Sequence, residues 1–255
     1  MPVDLKDFYY KNVVVTAEKS LEIAKQTSSQ CEQKWFYERN LRITGSKCYG
    51  LFIYSCNFKK NKNANWEKKI TSTFKSSFVG NESTMYGIHC EPLARNAYSI
   101  KSGRNVAENG LYVDPLTPWL GCSVDGLIVD DQNNPEFSIE IKSFTSGKTV
   151  PASESLNLEK CFEKDKSLKM RHEYYGQSQL GLLLLGLPTC DLVVYSSFND
   201  SMEIVLVQFD MTFAVKMVTE LVNVYFDIVL PWLKKSIQGV SGRVNEEFEE
   251  GCGEE

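Results

Sequence analysis

Two carboxylates and a lysine lie close together in the stretch 123–143, which reads SVDGLIVDDQNNPEFSIEIKS. In a strand, residues two apart point to the same side and lie about 6.6 Å apart along the chain. Glu140 and Lys142 therefore share one face of a predicted strand, whereas Ile139 and Ile141 share the other. The pattern places an acid and a base side by side among apolar neighbours.

A third ionisable residue, Asp125, lies on the preceding predicted strand, directly before Gly126. A hairpin centred on Asn133 brings Asp125 close to Glu140. Two carboxylates aimed at one point repel each other unless a cation lies between them, and Mg²⁺ prefers oxygen ligands. A lysine beside them can orient an attacking water, which is chemistry suited to a phosphodiester. The alternative is a salt bridge of Lys142 with Glu140 or Asp125.

The strands that must position these residues are predicted from hydrophobic periodicity. Five segments are predicted as strands: 111–113, 121–129, 137–141, 190–196 and 202–209. The polar turn 130–135 joins the second and third of them into the hairpin that carries Asp125 and Glu140.

Helices are predicted around these strands. Residues 5–31 have mixed helical character, and helices are predicted over 85–101, 170–187 and 212–237. The helix over 85–101 is predicted to bury one face, formed by Tyr86, Cys90, Ala94 and Ala97. Ser83-Thr84 is its predicted cap, and Pro92 is expected to kink the helix or make it restart near Glu91.

The order of these elements predicts the fold class. It runs helices, three strands, helix, two strands, helix, which favours an α/β fold with a mixed central sheet flanked by helices. A doubly wound repeat of alternating strands and helices does not fit this order. Trp35 and Phe36 are predicted core anchors, Thr44-Gly45-Ser46 a turn, and 57–69 a polar loop.

The composition supports a folded chain with a real core. The 255 residues are 42% apolar and include 14 Phe and 12 Tyr. The net charge of −5 does not indicate a nucleic-acid binder, so such a role requires a local basic surface. The candidate surface is a lysine-rich segment, whose alternative is a solvated loop: Lys59, Lys60, Lys62, Lys68 and Lys69.

The cysteines and the apolar runs indicate a compartment. Eight cysteines are scattered without a CxxC pair, which favours reduced thiols over a disulfide framework, a zinc site or an iron–sulfur cluster. The start, MPVDLKDFYYKN, lacks the apolar region of a signal peptide, and the run 180–187 is too short to span a membrane. We therefore expect an intracellular protein in a reducing compartment, nucleus or cytoplasm, with no membrane partner.

The residues around Asp125, Glu140 and Lys142 resemble the core of PD-(D/E)xK nucleases, which have a restriction-endonuclease-like fold. The wider sequence resembles the YqaJ viral recombinase family, to which the phage lambda exonuclease belongs. Four blocks agree with that family in order: WFYERNLRITGS (35–46), MYGIHCEPLARNAY (85–98), VDPLTPWLGCSVDGLI with SIEIKSF (113–144), and HEYYGQSQLGLLLLGLPTCDLVVYSS (172–197). Val124 stands where the family usually has proline, and both ends of the chain lie outside the similar region.

The resemblance also implies a domain organisation. It predicts one nuclease domain over 1–240, with an N-terminal helical region at 1–34, a core at 35–207 and a C-terminal helix at 211–238. The acidic segment 241–255 is predicted to be a flexible tail.

The resemblance implies a metal centre with the roles of its residues. Asp125, Glu140 and the backbone carbonyl of Ile141 would be ligands, and Glu91 would hold a second or shared ion. Two Mg²⁺ ions are implied, with Mn²⁺ as the alternative because both metals take oxygen ligands. Lys142 would position the attacking water and stabilise developing charge. Without the resemblance, Glu91 is better interpreted as a solvated helix residue.

Two residues match the family positions that bind phosphate. The planar guanidinium of Arg39 suits phosphate oxygens, and its alternative is a surface ion pair with Glu38 or Glu32. Ser46 could hydrogen-bond the same phosphate, or it could be a turn residue or a helix N-cap.

Three more residues carry implied roles around this centre. Gln177 matches a glutamine that hydrogen-bonds near the catalytic lysine. Tyr174, one turn earlier on the same helix face, is expected to pack rather than react. Asp114 is either a helper of the metal ligands or the start of an Asp-Pro turn.

The resemblance implies a metal-dependent exonuclease that digests double-stranded DNA from 5′ ends in recombination or repair. It also implies a ring-shaped homotrimer and a single-strand annealing protein as partner. Two alternatives remain open at this point. One is a structure-specific endonuclease of the same superfamily, which would cut closed circles; the other is a catalytically inactive DNA-binding module.

Overall fold

The computed structural model describes residues 1–30, 32–58, 64–75 and 80–237. Within those ranges the helices are α1 (Val3–Asn12), α2 (Ala17–Gln26), α3 (Gln33–Asn40), α4 (Gly45–Phe58), α5 (Trp66–Phe74), α6 (Glu82–Ser102), α7 (Ala152–Leu158), α8 (Glu173–Leu185) and α9 (Met211–Val224). The strands are β1 (Ile43–Thr44), β2 (Val106–Ala107), β3 (Leu120–Gly121), β4 (Gly126–Val129), β5 (Pro135–Lys142), β6 (Thr189–Ser196) and β7 (Ser201–Gln208). The predicted acidic tail and three lysines of the basic segment, Lys59, Lys60 and Lys62, lie outside the described residues.

A five-stranded mixed sheet forms the centre, in the order β2-β4-β5-β6-β7. Strands β4 and β5 pair antiparallel, β5 and β6 pair parallel, and β6 and β7 pair antiparallel. A mixed sheet flanked by helices is therefore confirmed. A second sheet contains only β1 and β3, which pair parallel.

The β4–β5 hairpin forms because its turn satisfies its own backbone. The carboxylate of Asp130 accepts hydrogen bonds from the backbone N–H groups of Gln132 and Asn134, both at 2.8 Å. Asn133 takes a positive φ of 64°, a conformation that asparagine tolerates well. The resulting register pairs Gly126 with Ile139 and so brings the residues before β4 beside the end of β5.

Two of the predicted strands are corrected by the structure. The segment 121–129 divides into β3 and β4, because β3 pairs with β1 in the small sheet whereas β4 joins the central sheet. The segment 111–113 makes only an isolated bridge between Tyr112 and Cys122. The other three predicted strands correspond to β5, β6 and β7.

Helix α6 is continuous from Glu82 to Ser102, so the predicted restart near Glu91 is wrong. Its buried residues Tyr86, Cys90, Ala94 and Tyr98 pack on the central sheet, with Ala97 partly buried against the same cluster. This packing offsets the free-energy cost of the backbone hydrogen bond that Pro92 cannot donate. The cap is also different, because the Asn81 side chain accepts from the N–H of Thr84 at 2.8 Å.

Helix α4 occupies residues predicted as a turn and the start of a loop. It begins at Gly45 and buries Cys48, Leu51 and Phe52 in a cluster with α8 and α9. Helix α5 begins inside the predicted loop, where the Asn65 side chain accepts from the N–H of Lys68 at 3.0 Å. Burial of an apolar face outweighs the weak helix propensity of these segments.

The C-terminal helical segment is less regular than predicted. Helix α9 is followed by a π-helical turn, Tyr225–Val229, and residues 230–237 are again α-helical. The hydroxyl of Tyr225 donates to the carbonyl of Leu41 at 2.8 Å, which attaches this segment to the end of α3. Phe36 is 39% exposed and is therefore not the core anchor that the sequence predicted, whereas Trp35 is half-buried.

A fully buried arginine fixes the chain between α3 and β1. Arg42 donates to both the carbonyl and the carboxylate of Glu38, at 2.8 and 2.6 Å, and to the carbonyls of Pro118 and Val13. The buried charge is thus paired and hydrogen-bonded, as burial requires. No helix within the described ranges has the length and apolar character needed to cross a membrane.

Candidate active site

The end of β5 and the residue before β4 form the centre of the site. The Asp125 carboxylate accepts a hydrogen bond from the backbone N–H of Ile141 at 2.6 Å. Gly126 allows this close approach, because a Cβ there would lie 2.4 Å from Val106 and 2.9 Å from Ile139. The hairpin therefore holds Asp125 against the strand that carries Glu140.

Glu140 and Lys142 are hydrogen-bonded to each other. The Nζ atom of Lys142 lies 2.8 Å from Oε1 of Glu140, whose side chain is almost fully buried. The salt bridge that the sequence offered as an alternative is thus present within the same constellation. Asp125 takes no part in it and bonds to the strand backbone instead.

Helix α8 adds Gln177 and Tyr174 to this centre. The Gln177 amide donates to the same Oε1 atom of Glu140. The ammonium of Lys142 lies 4.9 Å from the centre of the Tyr174 ring. Gly45, at the start of α4, lets α8 approach, because a Cβ there would lie 3.0 Å from Gln177 Cγ. Gln177 therefore lies beside Glu140, and Tyr174 lies beside Lys142.

Helix α6 contributes Glu91, which lines the cleft but bonds to an arginine. Its Oε1 atom accepts from Nη2 of Arg95 at 2.6 Å. Arg95 also donates to the backbone carbonyl of Asp125 at 2.9 Å and to Glu108 at 2.7 Å. The sequence interpretation missed Arg95, although its i,i+4 spacing from Glu91 is typical of an ion pair on a helix.

Helices α3 and α4 contribute Arg39 and Ser46. Arg39 donates to the Ser46 hydroxyl at 2.8 Å, and its guanidinium lies 4.1 Å from the centre of the Trp35 ring. Lys47 adds a second cation, because its Nζ atom donates to the carbonyl of Arg39 at 2.7 Å. Glu38 pairs with Arg42 instead of Arg39, which leaves the guanidinium of Arg39 directed to this cleft.

Asp114 lies apart from this group. Its carboxylate accepts from the N–H of Leu116 at 3.1 Å and from the hydroxyl of Thr117 at 2.9 Å. It therefore stabilises the Asp-Pro turn and is not among the described residues that line the cleft.

An open cleft of about 430 Å³ is lined by the side chains that this site brings together: Arg39, Glu91, Asp125, Glu140, Lys142, Tyr174 and Gln177. A second cavity of about 920 Å³ adjoins it and adds Ser46, Lys47, Lys69 and Phe74 to its lining. The two share their boundary residues, which are Gln30, Trp35, Arg39, Thr84, Ile88 and Glu91. The carboxylates and the cations thus face one continuous space.

All three carboxylates of the cleft have raised pKa values, chiefly because they are buried. Burial and the charge of Asp125 raise the pKa of Glu140 to about 7. Burial also raises the pKa of Asp125, and burial with the charge of Asp125 raises that of Glu91. Burial opposes the charge of Lys142, but Glu140 and Asp125 outweigh it, so the pKa of Lys142 is raised and the amine stays protonated.

The donor set fits a hard divalent cation, although the side chains do not enclose one as they are placed. Among the described residues, no three His, Cys, Asp or Glu side chains converge closely enough to hold a metal ion. Glu91 is turned to Arg95, and Glu140 is turned to Lys142 and Gln177. Besides burial, the charge of Asp125 raises the pKa values of Glu140 and Glu91, and a cation between these acids would relieve that repulsion.

The fold and the cleft together define the class of protein. A mixed sheet flanked by helices places an acid before one strand and a Glu-x-Lys pair at the end of its hairpin partner. This is the PD-(D/E)xK nuclease fold.

The sequence pattern of the YqaJ-like viral recombinase domain matches residues 34–185, so the chain belongs to this family. The resemblance drawn from the sequence motifs is therefore confirmed. A search of curated protein sequences finds no match.

Solved structures share the fold at low sequence identity. An alkaline exonuclease from Laribacter hongkongensis, LHK-Exo, is 22% identical with a TM-score of 0.54, covering 84% of this chain and 99% of that one. A phage-related exonuclease from Haemophilus somnus is 14% identical with a TM-score of 0.51, covering 77% and 96%. The shutoff and exonuclease protein of Kaposi's sarcoma-associated herpesvirus is 11% identical with a TM-score of 0.53, covering 91% and 82%.

Proposed function

We propose that the chain is a Mg²⁺-dependent exonuclease that hydrolyses double-stranded DNA from 5′ to 3′ in recombination or repair. One observation carries the proposal: Asp125, Glu140 and Lys142 lie together on one hairpin, and the amide of Gln177 donates a hydrogen bond to Glu140. Similar folds support a nucleic-acid substrate. LHK-Exo has been solved with dAMP, and the herpesvirus shutoff and exonuclease protein, SOX, has been solved with DNA and with RNA.

The metal would be held by the oxygens on this hairpin. Asp125, Glu140 and the backbone carbonyl of Ile141 are the proposed ligands, and Glu91 completes the set from α6. When bound, Mg²⁺ supplies Lewis-acid stabilisation of negative charge on the phosphodiester, and two ions would serve both the attacking and the leaving oxygen. Mn²⁺ would serve in place of Mg²⁺ because it takes the same ligands.

Lys142 orients the attacking water and stabilises the charge that develops on the phosphate. Its raised pKa keeps it protonated, so it acts as a hydrogen-bond donor rather than as a base at neutral pH. Gln177 positions Glu140 through its hydrogen bond, and the Tyr174 ring packs over the ammonium of Lys142. A merely structural ion pair would not require this set of groups at an open cleft.

Arg39 and Ser46 bind a phosphate of the DNA strand. The guanidinium is fixed by Trp35 and by the Ser46 hydroxyl, so little side-chain freedom is lost when an anion binds. Lys47 and Lys69 continue this cationic lining into the adjoining cavity. DNA can thus bind to a chain of net negative charge through a local basic surface.

The polarity, assembly and location follow the family resemblance. We propose a homotrimer, a single-strand annealing protein as partner, and action in the nucleus or cytoplasm. Asp114, which lies in its turn, has no proposed part in catalysis.

Labelled DNA tests the reaction. Purified protein is incubated with Mg²⁺ and linear duplex labelled at the 5′ or the 3′ end, beside closed circular DNA. Early loss of the 5′ label from linear DNA alone supports the proposal. Cutting of circles would support a structure-specific endonuclease instead, and DNA binding without cutting would support an inactive binding module.

A further inference from the structure

Arg95 makes three contacts that tie the acid on α6 to the strand hairpin. Its Nη2 donates to Glu91 at 2.6 Å, its Nη1 to Glu108 at 2.7 Å, and its Nε to the backbone carbonyl of Asp125 at 2.9 Å. Its side chain is only 16% exposed. Each nitrogen of the guanidinium therefore has a partner, and two of those partners belong to the candidate metal ligands.

The three contacts fix where the positive charge lies. The bond to the Asp125 backbone holds the guanidinium at the base of β4, and Glu108 holds it through Nη1, a different nitrogen from the one that bonds Glu91. A planar guanidinium cannot turn without breaking one of these bonds. Arg95 therefore cannot easily follow Glu91 if the carboxylate moves.

Glu91 has the freedom that Arg95 lacks. Its side chain is 34% exposed, and Arg95 engages its Oε1 atom. In its present position Glu91 does not converge with Asp125 and Glu140, since no three such groups among the described residues form a metal cluster. For Glu91 to serve as a ligand, its carboxylate must leave or share the bond to Arg95.

We propose that Arg95 is a positioning residue that holds Glu91 apart from Asp125 and Glu140, so that a divalent cation must compete with the guanidinium for Glu91. The inference rests on the proposed function, because it assigns Glu91 to the metal. The ion pair keeps the carboxylate of Glu91 from converging with those of Asp125 and Glu140 before a cation binds. It also weakens metal binding, and it keeps the carboxylate near the place where it is needed.

Metal binding without DNA tests the proposal directly. MnCl₂ is titrated into wild type, Arg95→Gln and Arg95→Lys, and free Mn²⁺ is followed by electron paramagnetic resonance. Arg95→Gln should bind Mn²⁺ about twofold to fivefold more tightly, the range of a partly exposed ion pair. Arg95→Lys should shift affinity in the same direction, because an ammonium cannot span the three acceptors.

A double-mutant cycle separates the specific ion pair from the general effect of charge. In a Glu91→Gln background, the effect of Arg95→Gln on Mn²⁺ affinity should disappear. Arg104→Gln is the matched control, because Arg104 forms a half-exposed ion pair with Glu136 and lines neither cavity. That variant should bind Mn²⁺ as wild type does.

Two results would overturn the proposal. One is an unchanged affinity in both Arg95 variants, and the other is an Arg95→Gln effect of equal size with and without Glu91. If Arg95→Gln fails to fold, Arg95→Lys with the Glu91→Gln cycle gives the same comparison. A wild type that neither binds Mn²⁺ nor cuts DNA would instead contradict the proposed function, before any variant is compared.

Discussion

The ammonium of Lys142 lies 2.8 Å from Oε1 of Glu140 on the same strand, so the lysine and one acid of the cleft are hydrogen-bonded to each other. Both side chains are largely buried. Burial and the charge of the neighbouring Asp125 therefore raise the pKa of Glu140.

The stability of the metal-free protein should fall as pH rises, because of Glu140. Its pKa is 4.5 when unperturbed and is raised to about 7 in the fold by burial and by Asp125. For a raised pKa, the stabilising contribution is complete below 4.5 and is lost as pH rises through about 7. Urea unfolding in EDTA at pH 5.5 and 8 should show a larger loss of stability in wild type than in Glu140→Gln.

The comparison with Glu140→Gln isolates this carboxyl from other groups that titrate in the same range. Burial and Arg39 lower the pKa of Lys47 to about 7. The contribution of Lys47 to stability therefore rises with pH, whereas that of Glu140 falls. Equal pH dependence in wild type and Glu140→Gln would contradict the assigned shift.

Gln177 should affect turnover rather than DNA affinity. Gln177→Leu removes its hydrogen bond to Glu140, and loss of such an orienting contact typically costs about 10–100-fold in activity. The measurement is cleavage of linear duplex, with kcat lowered and KM for DNA near the wild-type value. A change in KM alone would place Gln177 in DNA binding.

Gln179 on the same helix is the matched control. Its amide bonds to the backbone carbonyl of Gln208 and the N–H of Asp210, and its side chain is fully buried. Gln179→Leu should therefore lower the thermal midpoint, whereas Gln177→Leu should leave it nearly unchanged.

Arg39→Lys should weaken DNA binding despite keeping the charge. A lysine cannot reproduce the planar contact with Trp35 or a bidentate bond to phosphate. We expect a loss of about tenfold in affinity at low salt, the size of one charge-assisted hydrogen bond. Fluorescence anisotropy with duplex DNA, in Ca²⁺ to prevent cleavage, measures it. Arg104→Lys, outside the cleft, should bind as wild type does, and equal affinity for Arg39→Lys would contradict the assignment.

Arg42 should contribute to stability and not to chemistry. Arg42→Ala leaves the buried carboxylate of Glu38 without its partner, which typically costs about 3–5 kcal/mol of unfolding free energy. Arg104→Ala breaks a half-exposed pair with Glu136 and should cost at most about 1 kcal/mol. Urea denaturation of the two variants gives the comparison. Similar losses would show that burial does not distinguish the two pairs.

The hairpin and its acids could be predicted from the sequence because local rules determine them. The alternation in β5 gives the face of Glu140 and Lys142, and the Asp130 turn sets the register that places Asp125. These features depend on residues close in sequence.

Other parts could not be predicted, because tertiary contacts decide them. Helix α4 contains glycine, cysteine and aromatic residues of weak helix propensity, and it forms because its face is buried against α8 and α9. The i,i+4 pair of Glu91 and Arg95 is visible in the sequence, but the bond from Arg95 to the Asp125 backbone is not. The carboxylate of Asp114 could not be placed either until its bonds within the turn were known.

Cleavage by Lys142→Ala under single-turnover conditions tests the central claim most directly. Linear duplex DNA is mixed with excess protein and Mg²⁺, and Lys148→Ala, whose lysine pairs with Glu82 outside the cleft, is the matched control. The account predicts a rate about 10²–10⁴-fold below wild type for Lys142→Ala, with Mn²⁺ binding retained and Lys148→Ala unaffected. A Lys142→Ala variant that cuts at the wild-type rate would contradict the account.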